Sequence, residues 1–594
     1  MFSLGANEKI KFRINFEIFS EGEKKEKKMK KRLLALVVGL AMVTTMLAGC
    51  GAKASDKPAS DEPAGETTET SVTEEQVLDA EVAAIVEDGF IVKASNAEAK
   101  SSDNDLVIAI EGTVSSMDPG NISDTNAIAA TRGVYETLVK FDKDLNLVPA
   151  LAESWEVSED SLTYTFKLRE GVKFSDGTDF NAAAVKANYD RVVDPENGLR
   201  QRSRFIVAQE DGTEKARIAN IDTPDDYTVI FTMSEAYSPF LNRLTQVCFV
   251  SPAAIEEFGN DIMNNPVGTG PFICTEWEEG SHIILERNDT YWGEAPSVDS
   301  VTIKEVPEAG ARTAMLKTGE ADFVYPMPSD QIADIQGTDD INVLVDDSNI
   351  MRYVTLNTTL PELQDVKVRQ AMNHAIDQNA YVQVMYNGHA SPATSVAPAI
   401  IVGYEEQTPY EYDIEKAKAL LAEAGFADGF KLTLWGDNST QEIKGMTFVK
   451  QQLEQIGIEV EVLPMEPATV SSKIFVDQDE AELQMWYVNW SASDLTMDGS
   501  TRSLLHSSMM PPTSANTAYF SNPEFDEMLD IGLGTADLAE QAIQYGPAQK
   551  LAWEAAPWLF LANDQIIYAT KEYLSDVYVA PDGAFNFVDA TLAQ

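Results

Sequence analysis

Residues 431–463 read KLTLWGDNSTQEIKGMTFVKQQLEQIGIEVEVL. Lys431–Trp435 has the alternation and β-propensity of a strand. Ser439 or Thr440 can cap a helix, because either hydroxyl can accept from the open amides of a first turn. Gly457 can close that helix after Ile456. Ile458–Leu463 is again strand-like. A strand, a helix and a second strand on short connections make a βαβ unit, whose strands run parallel. At least one α/β lobe is therefore expected.

The same reading extends outward in both directions. Downstream, Leu483–Tyr487 reads as a strand, 523–533 and 536–553 as helices, and Gln565–Val588 as a series of short strands. Upstream, Ile414–Ala424 and Val366–Ile376 carry apolar residues at helical spacing, and Tyr353–Leu356 reads as a strand. Ala309–Thr318 is a helix that Gly319 can end. Ile283–Arg287, Val301–Val306 and Thr228–Met233 are strands. In Ser161–Leu168, Leu162, Tyr164, Phe166 and Leu168 alternate with polar residues. Asn181 can cap Ala182–Val193. Asn126–Thr137 is expected to be helical, and Leu106–Ile110 reads as a buried strand. Pro266-Val267-Gly268-Thr269-Gly270-Pro271-Phe272 is a crossing point whose glycines and prolines should fix unusual backbone angles. It is not a phosphate loop, because no Gly-Lys-Ser/Thr follows and Pro271 lacks an amide donor.

Export is written near the start of the chain. Met29–Cys50 reads MKKRLLALVVGLAMVTTMLAGC: a basic cluster, a short apolar core and small residues ending at a cysteine. This is a secretory signal, too short for a membrane span, which needs about 20 apolar residues. Its Leu-Ala-Gly-Cys end resembles a bacterial lipobox, which would lipidate Cys50 as the first mature residue. Residues 1–28 fit no targeting scheme and are expected to be a non-native upstream extension, with 29–49 as the signal. Residues 50–103 are rich in Ala, Ser, Thr, Pro and acids and should form a disordered acidic spacer, with a short helix at Val77–Val86.

The formal charge is −52. Residues 1–49 hold ten Lys/Arg and five Asp/Glu, which leaves the chain from Cys50 on at −57. Such an acidic body excludes nucleic acid and electrostatic adhesion to anionic lipid. At 594 residues the chain exceeds one domain.

Enzyme constellations are missing from the sequence. The four histidines, His282, His374, His389 and His506, share no metal-ligand spacing, and no Gly-x-Ser-x-Gly or Ser-x-x-Lys occurs. No cofactor or metal is expected. Cys248 and Cys274 should be two buried thiols, with a disulfide as the alternative. A binding surface is better supported. Met485–Ser491 is an aromatic strand exit, followed by Asp494, Asp498 and Arg502. Aromatic walls with a few placed polar groups suit a small-ligand cleft. A carboxylate buried there needs a cation, which a ligand ammonium could supply.

From about Asp105 to the C-terminus the chain resembles the extracellular solute-binding proteins of peptide/nickel-type ABC importers. The resemblance is carried by Gly171–Gly177, Pro266–Phe272, Glu286–Trp292, Asn357 with Val366–Asp377, and Lys416–Phe426. It departs at Ala183-Ala184, where the family usually has an acid before the Val of its first helix. The resemblance implies an α/β, bilobal periplasmic-binding-protein-like clam with an additional third lobe and mixed sheets. Lobe I would comprise 104–149, 268–345 and 563–594, accessory lobe II 150–267, and lobe III 346–562. It also implies a ligand set: Asp498, or else Asp494, for the ligand ammonium, beside Trp490 and Asn489. Arg352 would take the carboxylate, with Arg502 as the alternative and an interlobe ion pair as the other role for Arg352. Thr113 would reach in from the first lobe. The expected function is a lipid-anchored, monomeric receptor that hands short peptides or glutathione-like γ-peptides to an ABC permease and its ATPase, without chemistry of its own. A nickel-chelate, opine or sugar receptor of the same fold is the alternative, and a secreted hydrolase the remote one.

Overall fold

The computed structural model describes residues 89–94, 103–122, 124–208 and 213–593. The signal, Cys50 and the Val77–Val86 helix lie outside these residues.

The 431–463 unit forms as its caps and periodicity require. Strand Phe430–Asp437 leads to helix Thr440–Glu454, where the Ser439 hydroxyl accepts from the Glu442 amide. Strand Ile458–Met465 then pairs parallel with the first, Phe430 opposite Ile458 and Leu434 opposite Val462. Met446, Val449 and Leu453 bury the helix face against Leu432, Leu434, Ile458 and Val460. Helix and sheet stay together because each covers the other's apolar side.

This pair ends a mixed sheet of twelve strands. Its other end is the hairpin Phe272–Glu278 and His282–Arg287. Two long antiparallel strands join the halves: Ile341–Leu356, of 16 residues, and Trp558–Lys571, of 14. At about 3.3 Å per residue the longer one spans roughly 50 Å. Their pairing is broken between Asp347 and Met351, where the strands leave one core and enter the next. One side packs Leu106, Ile108, Phe323, Tyr568 and Phe585. The other packs Val354, Leu356, Met485 and Leu559 on one sheet face, and Met351, Tyr353, Trp558 and Phe560 on the opposite face.

A separate four-stranded antiparallel sheet builds the accessory lobe, in the order Ala152–Val157, Thr163–Leu168, Thr228–Met233, Ile218–Asp225. Helix Ala182–Val193 packs on it, and the Asn181 side chain accepts from the Ala184 amide. From this helix Arg191 reaches Asp118 of the first lobe. Its Nη1 lies 3.0 Å from Asp118 Oδ1, and its Nη2 donates to Oδ2. The two side chains are only 5% and 4% exposed.

Five expectations are corrected. The helix expected at Asn126–Thr137 covers only Thr125–Thr131. Beyond it, Gly133–Glu136 leaves helical geometry to receive backbone hydrogen bonds from Phe249, Gly270 and Phe272. The strand expected at Tyr353–Leu356 begins at Ile341, and the series of short strands expected from Gln565 opens instead inside one continuous strand, Trp558–Lys571, with short strands only from Leu574 on. In the crossing, Gly268 and Gly270 do not have positive φ. They are needed for close approach: a Cβ on Gly268 would lie 2.1 Å from the Val134 carbonyl oxygen, and one on Gly270 2.6 Å from that of Gly133. Finally, part of the expected spacer is structured. Phe90–Val92 forms a strand antiparallel to Ile341–Leu356, Phe90 opposite Leu344. Aromatic and β-branched residues there find the one free edge of that long strand, and edges recruit strands.

Candidate functional site

The segment after Trp490 lies where two lobes meet. Strand Met485–Ser491 ends in a loop through Asp494, and Thr496 caps helix Met497–Leu505 by accepting from the Gly499 amide. The loop is gripped from the accessory lobe by the short helix Phe240–Leu244 and the residues just after it. Arg243 Nη2 lies 3.0 Å from Asp494 Oδ2. Asn242 Nδ2 donates to the Asp494 carbonyl at 2.9 Å, and Gln246 Nε2 donates to that of Ser493. Further along the same seam, the Ser238 amide donates to the Leu533 carbonyl and the Ala536 amide to Ser161 Oγ. The accessory lobe is thus latched onto lobe III.

Behind the latch is a cavity of about 900 Å3, near the top of the ~300–1,000 Å3 usual for small-ligand sites. All three lobes wall it. The accessory lobe gives Arg204, Thr245 and Gln246 among others, lobe III gives Ile400, Ser493 and Leu495 together with Asp346 and Asp347, and the first lobe gives most of the remainder. Its apolar lining includes Tyr135, Phe141, Leu145 and Val577. Lys140 and Lys143 stand on the hairpin of strands Val139–Phe141 and Leu147–Pro149 and are exposed. Neither forms an ion pair among the described residues. The lining also carries acids: Asp142 between these lysines, Asp346 and Asp347 at the strand crossing, and Asp576, Asp582 and Asp589 from the C-terminal segment. Burial pushes the Asp346 carboxyl up, against a hydrogen bond from Tyr568. Arg204 is pushed down to about 10, first by burial and then by the neighbouring Arg243. Glu136, also in the lining, accepts from Tyr291 Oη at 2.8 Å and Trp292 Nε1 at 2.7 Å. Burial still pushes its carboxyl up.

None of the seven residues expected to touch ligand lines this cavity. Both expected ammonium partners already face protein cations: Asp494 meets Arg243, and Asp498 meets Arg502 Nε at 2.7 Å. Arg502 Nη1 also reaches Asp530 at 2.8 Å. Arg352 is paired within its own lobe and does not cross lobes. Its Nη1 pairs with Glu442, in the first turn of helix Thr440–Glu454, at 2.7 Å, and its guanidinium lies 5.0 Å from the Tyr487 ring centre. Strand parity separates the set further. Arg352 is opposite Asn489, and Met351 is opposite Trp490. Arg352 and Asn489 therefore occupy one sheet face and Trp490 the other. Trp490 Nε1 donates to the Gly499 carbonyl at 3.1 Å, and Thr113 is exposed on its loop. What sequence reading missed is the charged lining. Lys140 and Lys143 flank an ordinary-looking turn, and no local signal marks them.

Cys248 and Cys274 are both free thiols. Cys248 lines the cavity, and burial pushes it up to about 12, which leaves it an unreactive thiol. Among the described residues, three side chains close enough to share a metal ion occur only outside the cavity, at Glu276, Glu278 and His282. No helix among the described residues is long and apolar enough to cross a membrane.

Comparison with known proteins places this geometry in context. Residues 146–511 match the family model described as bacterial extracellular solute-binding proteins, family 5, middle region. The glutathione-binding protein GsiB of Shigella dysenteriae serotype 1 is 37% identical over 507 residues, covering 84% of this chain and 97% of the relative. HbpA2 of Haemophilus parasuis superposes with a TM-score of 0.74 at 26% identity, over 83% of this chain and all of that one. The ABC transporter-associated periplasmic binding protein DppA of Helicobacter pylori, solved with the peptide STSA, gives 0.66 at 28% identity over 82% and 98%.

Proposed function

We propose, on the premise that this chain belongs to the bacterial extracellular solute-binding proteins of family 5, that it captures short peptides of about glutathione size and delivers them to an ABC permease. The observation that carries this reading is the three-walled cavity whose lining holds exposed lysines as well as aspartates. A zwitterionic peptide places its carboxylates at Lys140 and Lys143, and its ammonium against Asp346, Asp347 or Asp589. Asp494 and Asp498, matched by their own arginines, hold lobes and loop together instead. The relatives supply the chemical class: one is named for glutathione and another is solved with a four-residue peptide. The seam across Arg243 and Asp494 is the closed state, and opening at the strand crossing admits cargo. No residue in the cavity is assigned a chemical step.

Thermal shift and calorimetry with glutathione, di- to tetrapeptides and free amino acids test this. A binder at a hundred times its Kd should add about 2.7 kcal/mol to stability, with the ligand recovered intact. Arg243→Met should weaken capture roughly tenfold, about 1.4 kcal/mol, because its ion pair with Asp494 joins the two lobes across the seam. Shifts with nickel chelates, opines or sugars and none with peptides would overturn the peptide reading. Recovery of cleaved product would make the protein a hydrolase.

The lipid anchor at Cys50 is proposed on the Met29–Cys50 sequence alone. Intact mass of membrane-extracted protein should show a chain starting at a diacylglycerol-modified Cys50, and Cys50→Ser should release the protein from the membrane. An unmodified chain starting elsewhere would refute the anchor. A tether keeps the receptor at high effective concentration beside its permease.

A further inference from the structure

The hairpin at the far edge of the large sheet presents two unlike faces. Ile283 and Leu285 are fully buried on one. Glu276, Glu278 and His282 share the other. Glu278 lies directly opposite His282 in the strand register, and Glu276 is two residues before Glu278 on the same strand. The turn Glu279–Ser281, with Gly280 at φ 78°, fixes this register. As a result one imidazole and two carboxylates bring a ligand atom each to within 4.8 Å of one another. His282 Nε2 is 3.5 Å from Glu276 Oε1, and Nδ1 is 4.0 Å from Glu278 Oε2.

We propose that Glu276, Glu278 and His282 form a surface site for a divalent transition-metal ion of the zinc class. Two features of the hairpin favour a metal over a solvated acidic patch. The first is the imidazole, a nitrogen donor that zinc accepts readily alongside carboxylate oxygens and that calcium and magnesium, which take oxygen ligands, do not. The second is Ser281, whose Oγ lies 2.9 Å from His282 Nδ1. With Nδ1–H donating to that oxygen, the Nε2 lone pair is left free and aimed toward Glu276. A metal-bound histidine is commonly held through its other nitrogen in this way. Two carboxylates balance the charge of a divalent ion, and three protein ligands leave room for water or a fourth donor. Lys304, opposite His282 on the next strand, is the one basic residue paired with this face and sets a limit on affinity. The site uses none of the cavity residues and does not depend on the identity of the cargo.

Zinc chloride titrated by calorimetry into the whole protein, without peptide or thiol, should show one saturable site. His282→Ala should weaken it at least tenfold, and Glu276→Gln with Glu278→Gln should do the same. Magnesium chloride should give no heat. Because all three side chains are at the surface, the variants should melt with wild type in EDTA, and zinc should raise the melting temperature of wild type only. Cobalt in place of zinc should give a visible d–d spectrum that His282→Ala abolishes. Zinc binding unchanged by His282→Ala would place the ion elsewhere and overturn the proposal, as would the absence of zinc binding by wild type.

Discussion

Arg191→Met should lower the stability of the folded body by about 3–5 kcal/mol, the cost of leaving one partner of a buried ion pair alone. Asp118 would keep the Gly120 amide, which donates to its Oδ1 at 2.9 Å, and lose both guanidinium contacts. The side chains are too enclosed for water to replace them. A surface pair of the same composition would cost under about 1 kcal/mol, so the size of the loss reports the burial. Urea titration followed by tryptophan fluorescence should show an earlier midpoint. Asp118→Asn combined with Arg191→Met should cost less than the two single changes summed. A loss below about 1 kcal/mol, or strict additivity, would mean that the pair does not act as a buried unit.

Gly268→Ala should be as damaging, at about 3 kcal/mol or more, because the added methyl meets a backbone carbonyl that cannot rotate away. The Val134 oxygen lies 2.1 Å from the new Cβ, and the same oxygen accepts from the Gly270 amide. Relief requires the crossing to separate from Gly133–Glu136, and the Gly268 carbonyl to release the Ser175 amide of the accessory lobe. Gly534→Ala is the matched control. Its nearest neighbour is 3.4 Å away and its φ is −78°, so it should change stability by no more than about 1 kcal/mol. Equal melting temperatures for the two variants would refute the close-approach account. Reduced ligand affinity in Gly268→Ala would add that the crossing also aims the lobes.

How much of this was legible depended on how local the cause was. The 431–463 unit was, because its cap, period and closing glycine all lie within it. So were the Asn181 cap and the Gly319 stop. The two long strands were not. At the lobe crossing they run through Asp346-Asp347-Ser348-Asn349 and Asn563-Asp564-Gln565, polar stretches that break the alternation, since neither strand keeps a single buried face there. The site was less legible still. That Trp490 and Arg352 belong to opposite sheet faces follows from the register between two strands more than a hundred residues apart. That Asp494 and Asp498 are neutralised follows from where Arg243 and Arg502 land. A sequence shows that a carboxylate needs a cation; which cation arrives is decided by tertiary placement. The metal triad was hidden for a similar reason, since Glu-x-Glu-x-x-x-His becomes one cluster only when a hairpin folds it back.

The strand Phe90–Val92 has a mechanical consequence. It joins the long strand at Val343–Leu344, a few residues before the crossing at Asp347. Tension reaching the body at Phe90 would therefore be borne by its pairing with Leu344, beside the strand crossing, and not by any residue that lines the cavity.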